Sequence, residues 1–186
     1  MKNNVNEFVI NLIDAWNRIA SDIIPDALQS LTNNTYEINF STDKQIIAPK
    51  SFGVYLIEIC PHEGFSFSKF LTDWKKDTTI VKTPNIIKRP VKIEGNDVWY
   101  PFYIGKSEKL QSRISEHCFQ ERHKTTYSLK LRCHSDLITQ AKFRFSYYEI
   151  APNIPDNVLV KSALQYIITN LEKELREKLS PWIGKQ

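Results

Sequence analysis

Two hydrophobic periodicities alternate along the chain, one of about 3.6 residues and one of 2, and each predicts an element. Val5, Phe8, Val9, Leu12, Ile13, Trp16 and Ile19 form a stripe at helical spacing, so residues 3–31 read as helix. Pro25 should split it and leave 26–31 as a second short helix. Asn33 and Asn34 signal a turn. Tyr36, Ile38 and Phe40 alternate, which predicts a strand over 35–40. Residues 51–59 are a continuous β-branched and aromatic run, a buried strand with Tyr55 and Ile57 on one face and Val54 and Leu56 on the other.

Residues 60–90 break the pattern. Phe65, Phe70 and Trp74 suggest a short helix ending near Lys76. Lys82, Lys88 and Arg89 lie in a basic stretch flanked by Pro84 and Pro90. Residues 91–93 and 98–104 read as paired strands joined by a turn at 94–97. Leu110 and Ile114 mark the buried side of the next helix, with Arg113 and His117 together on an adjoining face. Residues 120–135 are cation-rich loop or short helix. Phe143, Phe145 and Tyr147 alternate in a strand over 141–150. Asp156 then caps a long helix striped by Leu164, Ile168, Leu171, Leu175 and Leu179 and stopped by Pro181. Helices mixed with a few strands make an α+β protein: a small mixed or antiparallel sheet flanked by helices.

Composition narrows the class. A chain of 186 residues, 41% hydrophobic and 25% charged, predicts one globular domain. The net charge of +4 permits a nucleic-acid partner without demanding one. Three scattered cysteines, Cys60, Cys118 and Cys133, argue against a disulfide framework and for a reducing compartment. No run nears the ~20 apolar residues of a membrane span, and no signal peptide opens the sequence. A soluble cytoplasmic protein without a membrane partner is the expectation.

Candidate chemistry converges on 100–117. This stretch passes from β-like through Gly105 into helix and carries Lys106, Arg113 and His117. A helix start there would offer N–H groups to a phosphate. Between Lys106 and Arg132, seven cations face three acids. Cys60 with His62 and Cys133 with His134 match no common zinc spacing. Gly105-Lys106-Ser107 lacks the earlier glycine of a phosphate-binding loop. Taken singly, Tyr55 and Tyr103 read as core aromatics, Arg113 as an exposed helix cation and Glu172 as the i,i+4 partner of Arg176.

In order and together, these residues carry more. Gly53-Val54-Tyr55 on one strand, Tyr103-Ile104-Gly105 on the next, Arg113 eight residues beyond Gly105 and an acid on the last helix resemble the GIY-YIG nuclease family. Leu171-Glu172-Lys173-Glu174-Leu175 followed by Pro181 is similar to the family's ending and selects Glu172 as that acid. The resemblance spans roughly 50–184. It departs in two places: residues 60–98 form an insertion between the first two motif strands, and Gly184 stands where the family often has asparagine. It divides the chain into an N-terminal helical extension (1–49) and a nuclease domain (50–186).

The resemblance implies a metal-dependent endonuclease that hydrolyses DNA phosphodiesters, of restriction or stand-alone type. Glu172 would be the sole protein ligand to Mg²⁺ or Mn²⁺, and Tyr55 the general base, its pKa lowered by Lys106. Arg113 would hold the scissile phosphate. Tyr103 and His117 would position water or phosphate, or His117 would protonate the leaving oxygen. Specificity would come from 60–98 and 120–135 as phosphate-tracking surfaces. Cutting both strands needs a homodimer or two successive bindings, and the apolar N-terminal helix is a candidate dimer contact. The competing readings are a non-catalytic nucleic-acid-binding or regulatory module on the same fold, and an RNA-directed nuclease or toxin.

Overall fold

The structure, a computed structural model, describes residues 2–74, 76–86, 98–151 and 157–184. Among them the order is α1 (Lys2–Asn33), β1 (Tyr36–Glu37), β2 (Phe52–Pro61), α2 (Phe67–Asp73), β3 (Tyr100–Ser107), α3 (Leu110–Phe119), a 3₁₀ turn (Leu131–Cys133), α4 (Ser135–Gln140), β4 (Ala141–Ile150) and α5 (Val158–Leu179). The fold is α+β. Its four-stranded sheet has the order β1-β4-β2-β3, and every pairing is antiparallel.

β2 is central, bonded along its length to β4 on one side and β3 on the other. That position explains its unbroken hydrophobic run, since both faces are covered. Tyr55, Ile57 and Ile59 enter one core with α2, α3 and α4; Val54 and Leu56 enter the other with α1 and α5. The alternation expected of 51–59 is therefore found. β3 departs from simple alternation. Its register against β2 slips between Ile57 and Glu58, opposing Tyr103 and then Pro101. The extra residue, Phe102, joins its neighbour Tyr103 on the same core, and its carbonyl accepts from the N–H of Ile183 at 2.9 Å. The chain's tail thus pairs with the bulge and brings the Trp182 ring against Phe67, Phe70, Tyr100 and Phe102.

Several expectations are corrected. Pro25 does not split α1, which runs through it. Pro25 lies on the exposed side, where the carbonyl it deprives of a partner can meet water. On either side of it, Ile23, Ile24, Ala27 and Leu31 pack on the sheet, which keeps the helix continuous. The N-terminal stripe is not a covering face along its whole length: Val5 and Phe8 stay 61% and 65% exposed, while Ala27 and Leu31 are 0% and 1%. The strand expected over 35–40 shrinks to Tyr36–Glu37, continued by one bond from Ile38 N–H to the Phe143 carbonyl. Asn157, not Asp156, caps α5; its side chain accepts from Val160 N–H at 3.0 Å. Asp156 itself and the expected strand and turn at 91–97 lie outside the described residues. No helix among the described residues is long and apolar enough to cross a membrane.

Candidate active site

Two glycines let the site close. Tyr55 pairs with Gly105 across β2 and β3. A Cβ at residue 105 would lie 2.6 Å from Tyr55 Cζ and 2.9 Å from Tyr103 Cε1, with the Tyr55 hydroxyl nearer still. Glycine is needed there so that the Tyr55 ring can lie over the neighbouring strand. At Gly53 a Cβ would collide with the Tyr148 carbonyl of β4 and sit 2.9 Å from Leu110 Cδ1, so its absence lets α3 settle on the sheet. Leu110 and Ile114 are fully buried there. That packing turns Arg113 and His117 toward the strand tyrosines.

His117 is wholly buried, and its Nε2 lies 2.8 Å from Tyr55 Oη. Its Nδ1 accepts the Leu129 N–H at 3.0 Å. An acceptor at Nδ1 leaves the proton of the neutral ring on Nε2, which therefore donates to the Tyr55 oxygen. The ring stays neutral because burial, Arg113 and Lys130 hold its pKa well below the usual value. Both nitrogens are engaged inside the protein. The partners of His117 are therefore Tyr55 and the Leu129 backbone, and any contact of its ring with water or phosphate would have to replace one of them. Tyr103 completes the cluster, its ring centroid 4.6 Å from that of His117 and 6.2 Å from that of Tyr55.

Burial pushes the Tyr55 phenol well above its usual pKa; Tyr103 and Glu172 add to this and Arg113 opposes it. Tyr103 is raised too, again chiefly by burial, with Arg113 and Arg176 opposing and Glu172 reinforcing. The cation acting on Tyr55 is thus Arg113 and not Lys106. Lys106 instead meets Glu172, its Nζ 2.8 Å from Oε2. The other carboxylate oxygen takes a hydrogen bond from Arg176 one turn on. Arg113 donates to Glu116 at 2.6 Å and to the Tyr127 carbonyl at 2.5 Å.

The six residues singled out from the sequence therefore fall into two linked groups. Tyr55, Tyr103, His117 and Arg113 form one; Lys106 and Glu172 form the other, which both phenols sense electrostatically. The phosphate corner at the start of α3 is not available. The N–H groups of Leu110 and Gln111 already bond the carbonyls of Ser51 and Pro49 at 3.1 and 3.0 Å. Two participants were missed. Arg176 reads from the sequence only as the i,i+4 partner of Glu172, yet its Nε–H is buried with no hydrogen-bond partner among the described residues. The Leu129 N–H had no signal, because a backbone donor leaves no trace in residue type.

Among the described residues no three His, Cys, Asp or Glu side chains gather as a ready metal cage. Cys60, Cys118 and Cys133 form no disulfide with one another. Comparisons with protein-family models, with curated proteins and with solved structures find no match to this chain.

Proposed function

We propose that this protein is a GIY-YIG-type endonuclease that hydrolyses DNA phosphodiester bonds with one divalent metal ion. The observation that carries the reading is the convergence of Tyr55, Tyr103, Arg113, His117 and Glu172 from two strands and two helices around Gly105. Packing alone asks for none of their polar ends.

The donor set suits an ion that takes a single protein oxygen. Glu172 supplies the carboxylate, 12% exposed, and Mg²⁺ keeps most of its shell as water and phosphate oxygens. Lys106 and Arg176 hold that carboxylate, and Lys106 is the partner that an ion at Glu172 would have to displace. When bound, the ion neutralises charge on the phosphoryl oxygens. The protein does the rest. Arg113, half-buried beside the phenols, offers a planar fork to the phosphate. The spare Nε–H of Arg176 gives a second donor near Glu172. The Tyr55 phenol would first lose its own proton to solvent and, as phenolate, would take the proton of the attacking water, while solvent protonates the leaving oxygen. The Nε2–H of His117 and the charge of Arg113 favour that phenolate.

Nicking of supercoiled plasmid in Mg²⁺ tests the proposal. Cleavage should vanish in Glu172→Ala, Arg113→Ala and Tyr55→Phe. Cleavage that survives all three, or wild-type protein inert with every divalent ion tried, overturns it. The saturation of Glu172 by two cations favours one alternative, a nucleic-acid-binding module on this framework. Retarded duplex mobility without cleavage would identify it. Matched RNA and DNA duplexes separate an RNA-directed enzyme from the first reading.

A further inference from the structure

Lys130 is the outlying feature of the loop after α3. Its side chain is 0% exposed, and its backbone is left-handed at φ 52° and ψ 44°. Burying an ammonium is costly unless its hydrogens are met. Here Nζ donates to the Val81 carbonyl at 2.7 Å and the Thr126 carbonyl at 2.9 Å. These two bonds staple both ends of 126–130 together and tie them to the segment after α2. A further bond ties the segment after α2 to the start of the same loop, from Val81 N–H to the Arg122 carbonyl at 3.1 Å. Inside the staple the buried Ser128 hydroxyl donates to the Gln120 side chain at 2.6 Å.

Two backbone groups of this loop reach the candidate site. The Leu129 N–H meets His117 Nδ1, and the Tyr127 carbonyl meets Arg113. One holds the ring with Nε2 toward Tyr55; the other, together with Glu116, holds the guanidinium.

We propose that Lys130 is a positioning residue: by clamping 126–130 it fixes the His117 tautomer through Leu129 and the place of Arg113 through Tyr127. The clamp is a structural claim in its own right. Its consequence for cleavage rests on the nuclease reading. The groups facing the His117 ring are Tyr55 from β2, Tyr103 from β3, Arg113 from its own helix and Lys130 from the loop. Loosening the clamp withdraws the Leu129 donor and the Lys130 charge together.

The test uses the full chain with ¹⁵N-labelled histidine, its four histidines assigned by single His→Gln variants. In the wild type the His117 signal should show a protonated Nε2 and a bare Nδ1 from pH 5 to 8, and the Leu129 amide should exchange slowly. Lys130→Met should yield mixed tautomers and a ring that titrates toward the ordinary value. Cleavage should fall by about tenfold to a hundredfold, with DNA affinity less affected. Lys130→Arg, which keeps the charge, should recover part of each. A wild-type ring protonated at Nδ1, or a Lys130→Met protein with the wild-type tautomer and titration, overturns the inference. The wild-type measurement stands even if the variants do not fold. A correct tautomer in a protein that cuts nothing would sink the nuclease reading and leave the clamp intact.

Discussion

Replacing Gly105 by alanine adds one carbon at the point where the phenols meet. That carbon would sit 2.6 Å from Tyr55 Cζ and 2.9 Å from Tyr103 Cε1, against an ordinary carbon contact of about 3.5–4.0 Å. The strands cannot part to make room, because β2 is bonded along both edges and the Tyr55–Gly105 pairing lies within the ladder. Relief must come from turning the Tyr55 ring, about 0.5–1.5 kcal/mol off its rotamer, on top of an overpacking cost of about 1–3 kcal/mol. A loss of about 1.5–4.5 kcal/mol is expected, read from urea midpoints at constant slope. Turning the ring also pulls Oη from His117 Nε2, so cleavage should fall more steeply than stability. Tyr55→Phe removes the atom nearest the new carbon and leaves the Nε2–H of His117 unpaired, costing about 1–3 kcal/mol alone. In the double variant the two costs should fall short of their sum by about 1 kcal/mol. A Gly105→Ala protein within about 0.5 kcal/mol of the wild type, or a strictly additive cycle, would refute the close-approach argument.

Three further outcomes are expected. Glu58→Gln breaks the two-bond pair with Arg144 opposite it, at 2.6 and 3.1 Å, and should cost about 2–3 kcal/mol in the same urea assay. His134, stacked on Trp74 at 4.4 Å, is held by burial at about 4 against an ordinary 6.5. The unfolded chain therefore binds the extra proton, so stability is full above pH 6.5 and falls by up to about 3 kcal/mol toward pH 4. Buried His117 acts in the same direction, so His134→Phe should shrink the loss between pH 7 and 4.5 without abolishing it. Along α1, Phe8→Ala should stay within about 0.5 kcal/mol of the wild type, whereas Leu31→Ala should cost about 2–5 kcal/mol, measured by thermal or urea unfolding.

Much of this layout can be read from residue order. The runs at 51–59 and 141–150 and the stripe from Leu164 to Leu175 each bury the faces their periods predict, because those elements touch the sheet along most of their length. Tyr55, Tyr103, Arg113 and Glu172 were legible as a set since their spacing, not their type, is unusual. Period reading fails where one backbone step breaks it. The bulge at Phe102 puts adjacent residues on one face, and no pattern of two foresees that. It fails again where tertiary contact overrules local preference, as at Pro25, whose defect is turned to solvent. Composition also misplaced charge. Lys106 looks like a site cation for Tyr55, but in the fold it faces Glu172. Lys130 looks like one more surface lysine of a basic loop, but it is sealed beneath it.

The electrostatics order the proposed chemistry. Both phenols lie above their usual pKa for the same reason, burial, and Glu172 raises each further. Only Arg113 opposes this at both, with Arg176 helping at Tyr103. At neutral pH the resting site therefore holds two protonated phenols and a carboxylate bound by two cations. A base cannot arise there by bulk pH alone, since the low-dielectric setting that sharpens every charge also disfavours a lone phenolate. On the proposed reading, countering the Glu172 charge would lift one opposing influence from both rings at once and would free Lys106 for an incoming oxyanion. Because Glu172 raises both phenols, one carboxylate would bear on both tyrosines in the proposed reaction. On the proposed reading, the neutral Nε2–H of His117, 2.8 Å from the Tyr55 oxygen, would favour Tyr55 over its neighbour as the ring that ionises.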